Sequence, residues 1–406
     1  MADPTADPTA AATRAAAAAT AVVDAHREVL VGLSHAIHAN PELGFEEHEA
    51  SARCVELLDG WGFEVTAGAA DLDTAFVAEI GSGPLVVGIC AEYDALPAIG
   101  HACGHNVIAA AALGAARALA DVADDVGLTV RVLGTPAEEG GGGKVLMLER
   151  GAFDGLHMAM MVHPFVQDQV GLSCLAVAHL DVAFTGRTAH ASAYPERGRN
   201  AADALTVAQV GVGLLRQHIT ADQRIHGIVT HGGDAANVVP DRTEGSWYVR
   251  ASTLADLAEL YPRVRACFEA GALATGTTLE VSASSPPYSE FTPDAELEAV
   301  FADVMTRELG RSPRAAGAPG STDMANVSLY LPTIHPMLGL DTDAVNHQPE
   351  FTAACATPSA DLAVRDGAVG MARTAIQAAT SPALRDRLRT TDFVAARDHV
   401  TPDLDA

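Results

Sequence analysis

The run His101-Ala102-Cys103-Gly104-His105-Asn106 constrains this chain more than any other feature, because it places three metal-competent side chains within five positions. An apolar strand pattern, Leu85-Val86-Val87-Gly88-Ile89-Cys90, precedes it, and a helical pattern from about Val107 to Ala120 follows. Imidazole nitrogen and thiolate sulfur suit zinc and its borderline-soft relatives. A helix N-terminus next to Cys103 is expected to favour its thiolate form. The competing reading is one buried cysteine flanked by two surface histidines.

A second cluster points the same way. Val130 to Leu133 reads as a strand that runs into Pro136-Ala137-Glu138-Glu139-Gly140, followed by more glycines and Lys144. Catalytic loops of α/β proteins sit beyond the carboxyl ends of the strands. Neighbouring side chains on an extended chain diverge, so one Glu can ligate a metal while the other faces a water. A solvated acidic loop is the alternative. The glycine tract is not a phosphate loop, since Val145 rather than Ser or Thr follows Lys144. His163 ends the strand-like run Met158 to Val162, and His347 lies in a polar loop before a helical stretch. Singly, each could be an ordinary loop histidine. Together Cys103, His105, Glu139, His163 and His347 suffice for two metal ions sharing a bridging ligand, with Glu138 left over as a base.

The formal net charge of −27 over 406 residues argues against nucleic-acid or anionic-membrane partners. It does not exclude a locally positive pocket. Lys144 is the single lysine, and this reads as composition bias towards arginine. Six cysteines without CxxC spacing fit reduced thiols and a cytoplasmic location. No stretch approaches a membrane span. Residues 1–24, rich in Ala, Pro and Asp, read as a disordered leader without a signal peptide, joined to a helix near Ala21 to Asn40. Residues 391–406 read as an acidic tail.

Between about residues 175 and 287 the pattern becomes β-α-β-β-α-β: Ala176–Phe184, Asn200–His218, Ile225–Thr230, Ser246–Ala251, Leu254–Ala272 and Thr278–Ser282. That is a ferredoxin-like order, read as a domain inserted into an α/β chain whose catalytic part comprises 25–174 and 288–390. On their own, His190 and Asn237 read as turn residues and Arg250 as a surface ion-pair partner. Ser321 and Thr322, in the loop 317–326, could cap a helix or line a cleft.

Five separated segments keep order and approximate spacing: His38-Ala39-Asn40-Pro41-Glu42-Leu43-Gly44-Phe45, Ala91 to Pro97, His101 to Asn106, Pro136 to Gly140, and His347 to Phe351. They resemble the dinuclear metallopeptidase and amidohydrolase family of aminoacylase and carboxypeptidase G. The branch is similar to that of hippurate hydrolase, auxin-conjugate hydrolases, the p-aminobenzoyl-glutamate hydrolase B subunit and related dipeptidase-like proteins. The resemblance covers residues from about Ala25 to Thr380.

It implies a mixed-sheet α/β catalytic domain with an inserted α+β lid or dimerisation domain. Cys103, as a bridge, His105, Glu139, His163 and His347 would hold two divalent ions, zinc first, manganese or cobalt possible. Glu138 would be the general acid and base, and Asp94 a carboxylate that orients a ligand. His190 would reach the partner subunit's active site in a homodimer built through the lid. Asn237 and Arg250 would hold the free carboxylate of a small substrate, with Ser321 and Thr322 beside it.

Asn106 stands where hippurate hydrolases carry Asp, and Glu92 stands at the place of a ligating His in the aminoacylase branch, so no ligand is assigned there. The expected reaction is hydrolysis of an N-acyl amino acid, a short dipeptide or p-aminobenzoyl-glutamate by metal-activated water. The alternative is a non-catalytic or partner-dependent metal-bound dimer that binds carboxylates.

Overall fold

Residues 85–91 and 128–134 are apolar at nearly every position, as strands buried on both faces must be. In the computed structural model, which describes residues 8–316 and 320–390, they pair in parallel at the centre of a six-stranded sheet. The order across it is Glu64–Ala67, Phe76–Gly81, Leu128–Gly134, Leu85–Ala91, Met158–Met160 and Thr333–Ile334. The first two strands run antiparallel to their neighbours and the rest are parallel, so the sheet is mixed. Val87, Ile89, Val130 and Val132 are fully buried, and each contributes about 1.5–3 kcal/mol of hydrophobic stabilisation. Three of the parallel strands end, at Ala91, Gly134 and Met160, where the candidate loops begin.

The helix His105–Ala120 is almost wholly buried between this sheet and the helices Pro8–Ala25, Arg27–Ala39 and Pro358–Thr380. Its alanines and glycine permit that approach: a Cβ at Gly114 would stand 2.8 Å from Ala368 Cβ and from Leu30 Cδ1. Asn106, in the first turn, donates from Nδ2 to Ser34 Oγ (2.8 Å) and to the Cys355 carbonyl (2.9 Å). An ionised Asp offers no such donor, so the departure at this position is a packing tie between three segments.

The leader expectation is corrected by the structure from residue 8 onward. Pro8–Ala25 is a helix whose Ala15, Ala19 and Val23 are buried. Alanine is the best helix former, and these small residues let the helix seat on Pro358–Thr380. Arg373 Nε bonds Thr20 Oγ1 at 3.0 Å, and Arg365 pairs with Asp24 at 2.8 Å. Residues 1–7 and the tail 391–406 lie outside the described residues. His163 is also placed differently: it opens a separate strand, His163–Phe165, in a small sheet with Met337–Gly339, Gln169–Val170 and Arg314–Ala315.

A second compact unit takes residues 174–290 and 320–322. Its sheet runs Thr278–Ser282, Ala176–Thr185, Arg242–Ala251, Arg224–His231, all antiparallel. In chain order these are the fourth, first, third and second strands of the unit, a ferredoxin-like arrangement. Helices Ala201–Leu215 and Leu254–Thr275 cover one face, where Leu180, Phe184, Trp247, Val249, Leu257 and Phe268 are buried. Alternate positions in Arg242–Ala251 are buried, the period of two expected of a strand with one core face. Asn200 caps the first helix, accepting from the Ala202 N–H at 2.9 Å. The short 320–322 stretch joins this unit through Leu175 N–H to the Gly320 carbonyl (3.2 Å). Among the described residues, no helix is long and apolar enough to cross a membrane.

Val23→Asp should lower the denaturant midpoint of the full chain by about 3 kcal/mol of stability, because it buries an unpaired carboxylate. Chemical denaturation of wild type and variant checks this; an unchanged midpoint would return Pro8–Ala25 to a leader that carries no packing.

Candidate metal centre and carboxylate-facing cluster

Two histidines are held by their Nδ1 atoms. His105, the first residue of its helix, puts Nδ1 2.8 Å from the Asp94 carbonyl and 3.0 Å from Asp94 Oδ1. Both partners are acceptors, so Nδ1 carries the proton, and in the neutral ring Nε2 keeps its lone pair. His163 Nδ1 donates likewise to the Pro164 carbonyl at 2.7 Å. The two rings meet edge to face with centroids 6.0 Å apart. The Asp94 carbonyl and carboxylate thus fix the orientation of the His105 ring.

Donor atoms of Cys103, His105 and His163 lie within 4.8 Å of one another, as do those of Cys103, Glu139 and His347, and those of His105, Glu138 and Glu139. Cys103 is common to the first two sets. His105 Nε2 and Glu139 Oε1 are buried without a hydrogen-bond partner, and Glu139 Oε1 is 3.7 Å from His347 Nε2. Unpartnered buried nitrogen and carboxylate atoms converging with a cysteine sulfur on one place fit divalent metal ions. All six sequence-assigned residues of the centre (Cys103, His105, Glu138, Glu139, His163, His347) are therefore together, with Asp94 behind them.

The loop that carries Glu138 and Glu139 is tied by three buried carboxylates. Glu47 Oε1 accepts from the Ala137 N–H (2.8 Å), Asp94 Oδ2 from the Glu139 N–H (2.9 Å), and Asp323 Oδ2 from the Lys144 N–H (2.8 Å). Ala137 has φ +56° and His347 φ +69°, conformations that cost non-glycine residues energy and persist only where surroundings impose them. Gly143 is obligatory for the loop's tightness, since a Cβ there would lie 1.8 Å from the Pro136 carbonyl oxygen.

Crowded carboxylates shape the electrostatics. Burial, then Glu139 and Glu92, push the Glu138 carboxyl well above the ordinary range. Burial would raise Asp94 too, but His105, the Glu139 N–H and Lys144 outweigh it and hold Asp94 below the usual value. Burial, then Glu139 and Glu138, push the Cys103 thiol well up. The expected lowering by a helix N-terminus is not what the environment provides, because Cys103 precedes the Gly104 cap and faces carboxylates. A divalent cation would supply the missing counter-charge.

Sequence reading missed Glu47, Asp323 and the role of Lys144. Lys144 is fully buried, with Nζ 2.5 Å from Glu92 Oε1 and 2.6 Å from Asp323 Oδ1. The available signal was its being the one lysine among 25 basic Lys and Arg residues, which composition bias does not explain.

In the second unit, Arg250 Nη1 donates to Ser321 Oγ at 2.6 Å, and the guanidinium lies 5.5 Å from the Tyr248 ring centroid. Ser321 in turn donates to the Leu175 carbonyl (3.0 Å), so it does not cap the helix Met324–Tyr330. Thr322 is buried beside it in sequence. His190 and Asn237 are exposed on neighbouring segments, joined by the Ala191 N–H to the Asn237 carbonyl (3.0 Å). His190 Nδ1 accepts weakly from the Ser192 and Ala193 N–H groups at 3.4 and 3.3 Å. His179, bonded to Ser285 Oγ, packs on Tyr248 with centroids 4.4 Å apart. Burial, then Arg250, push its pKa down to about 4.

A family model described as peptidase family M20/M25/M40 matches residues 88–365. The chain is 38% identical over 389 residues to the Xaa-Arg dipeptidase of Mus musculus, covering 90% of this chain and 89% of that one. It is 34% identical over 279 residues to the B component of the p-aminobenzoyl-glutamate hydrolase of Escherichia coli, covering 64% and 58%. The solved structure of a dinuclear metal binding peptidase from Bacillus subtilis shares the fold at TM-score 0.63 and 22% identity, over 87% of this chain and 99% of that one.

The His179 shift has a fixed sign. Its folded pKa lies below the unfolded value near 6.5, so the unfolded state takes up the proton first. Stability is complete above about pH 6.5 and is lost as pH falls towards 4, by about 2 kcal/mol at pH 4.5. Denaturation of the second unit at pH 7 and 4.5 should show a smaller difference in His179→Gln than in wild type; equal differences would remove His179 as the cause.

Proposed function

The chain belongs to peptidase family M20/M25/M40 and is a hydrolase of peptide (amide) bonds; from that premise we propose that it cleaves dipeptides and related amino-acid conjugates with a free carboxylate, those ending in a basic residue first. The observation that carries this reading is Glu138: its Oε2 lies 3.9 Å from His105 Nε2, one residue from the donor Glu139. A binding protein has no need of a buried carboxyl beside its donors.

Two divalent ions held by Cys103, His105, Glu139, His163 and His347, zinc first with manganese or cobalt as alternatives, would polarise the scissile carbonyl and lower the pKa of the attacking water. Glu138 would take the proton from that water and pass it to the leaving nitrogen. Asp94 would keep His105 in the ligating tautomer. Arg250, steadied by Ser321 and Tyr248, would offer two parallel N–H groups to the substrate carboxylate, with Asn237 and Thr322 beside it.

His190 would serve the active site of the partner subunit in a homodimer. Exposed Ile228 and Val229 on the edge strand Arg224–His231, with Val207, Val210 and Leu214 on the adjacent helix, support a second copy docking there. The net charge of −27 and the Xaa-Arg dipeptidase relative favour a cationic leaving residue. The Escherichia coli hydrolase relative supports p-aminobenzoyl-glutamate as the second reading. Six free cysteines support a cytoplasmic location.

Amine release tests the reading directly, with metal-stripped chain reloaded with zinc, manganese or cobalt. The substrates are α- and β-alanyl dipeptides ending in Arg or Lys, N-acyl amino acids and p-aminobenzoyl-glutamate. Fastest metal-dependent release from the basic dipeptides is expected. Silence across the panel with metal bound would favour the partner-dependent or binding-only alternative. Glu138→Gln should cut kcat on the order of a thousandfold while two metal equivalents stay bound; near-normal turnover would mean another base. Arg250→Ala should raise KM about 30-fold or more with kcat changed far less; a kcat-only effect would remove Arg250 from carboxylate binding.

A further inference from the structure

Glu92 leaves the strand Leu85–Ala91 fully buried, and its two oxygens face different partners. Oε1 is ion-paired with Lys144 Nζ at 2.5 Å. Oε2 lies 3.6 Å from His105 Nε2, the nitrogen that Asp94 leaves free. Two donors sharing one zinc, each about 2.0–2.2 Å from it at tetrahedral angles, stand on the order of 3.3 Å apart. Glu92 Oε2 is thus at donor spacing from a histidine of the candidate centre.

Lys144 is held at both ends. Its Nζ also pairs with Asp323 Oδ1 at 2.6 Å, and its own N–H reaches Asp323 Oδ2 at 2.8 Å. Elsewhere the chain's basic side chains are arginine. Between two buried carboxylates a compact ammonium serves as a point charge, whereas a planar guanidinium demands room for five donors. This position is where the chain departs from its own habit.

A catalytic metal site keeps one position open for water or substrate, and an extra protein carboxylate there closes it. We propose that Lys144 is a positioning residue that withholds Glu92 from the metal donors, keeping the open position of the His105 side available to substrate. An ammonium 2.5 Å from one carboxylate oxygen weakens the other as a donor to a cation and repels a cation nearby. The proposal rests on the reading of Cys103, His105, Glu139, His163 and His347 as donors around the base Glu138.

Zinc calorimetry on the metal-stripped full chain, with steady-state kinetics after reloading, tests it in wild type, Lys144→Met, Glu92→Gln and the double variant Glu92→Gln/Lys144→Met. Lys144→Met should bind zinc about tenfold tighter or more, the gain of an added ligand. Its kcat should nevertheless fall about 30-fold, with KM within about threefold. Opposite movement of affinity and turnover is what a merely structural lysine would not produce, since a damaged site weakens both.

The double variant should return both quantities to within about fivefold of wild type, and Glu92→Gln alone should leave zinc affinity within about threefold. Unchanged or weaker zinc binding in Lys144→Met overturns the proposal. So does a tenfold loss in Glu92→Gln, which makes Glu92 a ligand outright. Should Lys144→Met not fold, Lys144→Gln takes its place on the same criteria, and should neither fold, Glu92→Gln decides. If wild type releases no amine from any substrate, the reading of the activity has failed, while the calorimetry still decides the role of Lys144.

Discussion

One buried carboxylate, Asp94, ties the centre together. It sits just after the strand Leu85–Ala91, and its Oδ1 receives His105 Nδ1–H while its Oδ2 receives the Glu139 N–H. A buried charge is tolerated only when donors surround it, and these donors belong to the first turn of one helix and to the loop after another strand. Satisfying Asp94 therefore brings His105 and Glu139 to one point and sets which histidine nitrogen is left free. Glu47 and Asp323 repeat the device at Ala137 and Lys144, so the loop that carries Glu138 is held along its length.

The same concentration of carboxylates makes the centre unfavourable by itself. Glu92, Asp94, Glu138, Glu139 and Asp323 converge on a buried region whose opposing charge comes from Lys144. Repulsion and desolvation drive the Glu138 carboxyl and the Cys103 thiol upward. Such an arrangement is stabilised by divalent cations rather than by further packing. Backbone strain at Ala137 and His347 lies in the same place, consistent with a fold that spends stability where it acts.

The second unit separates its tasks by strand periodicity. Trp247, Val249 and Ala251 face the helices, while Tyr248 and Arg250 alternate onto the opposite side, where His179 joins them from the paired strand. A slip of one residue would bury Arg250 among Val249's neighbours and expose the core residues, so the hydrophobic face fixes where the guanidinium points. Ser321, far away in sequence, completes this cluster.

Much of this was legible in order along the chain. The apolar runs 85–90 and 130–133, the β-α-β-β-α-β pattern and the metal-competent residues after each strand are local properties, and strand ends predict where loops converge. The helix Pro8–Ala25 was not legible, because an alanine-rich stretch looks alike whether it frays in water or seats on Pro358–Thr380; only the partner surface distinguishes the two. Asn106 was visible as a departure, but its meaning lay in Ser34 and Cys355, residues distant in sequence. Lys144 was visible as an oddity, yet its charge acquires a role only through Glu92 and Asp323, which lie 52 positions before it and 179 after it. Donor types, the loops that carry them and the class of fold follow from residue chemistry and short-range periodicity, so the chain alone was enough to read them. Which carboxylate bonds His105, which stands free beside the donors and which pairs with the lysine was decided only on folding, because those partnerships depend on distances between segments that no local pattern encodes.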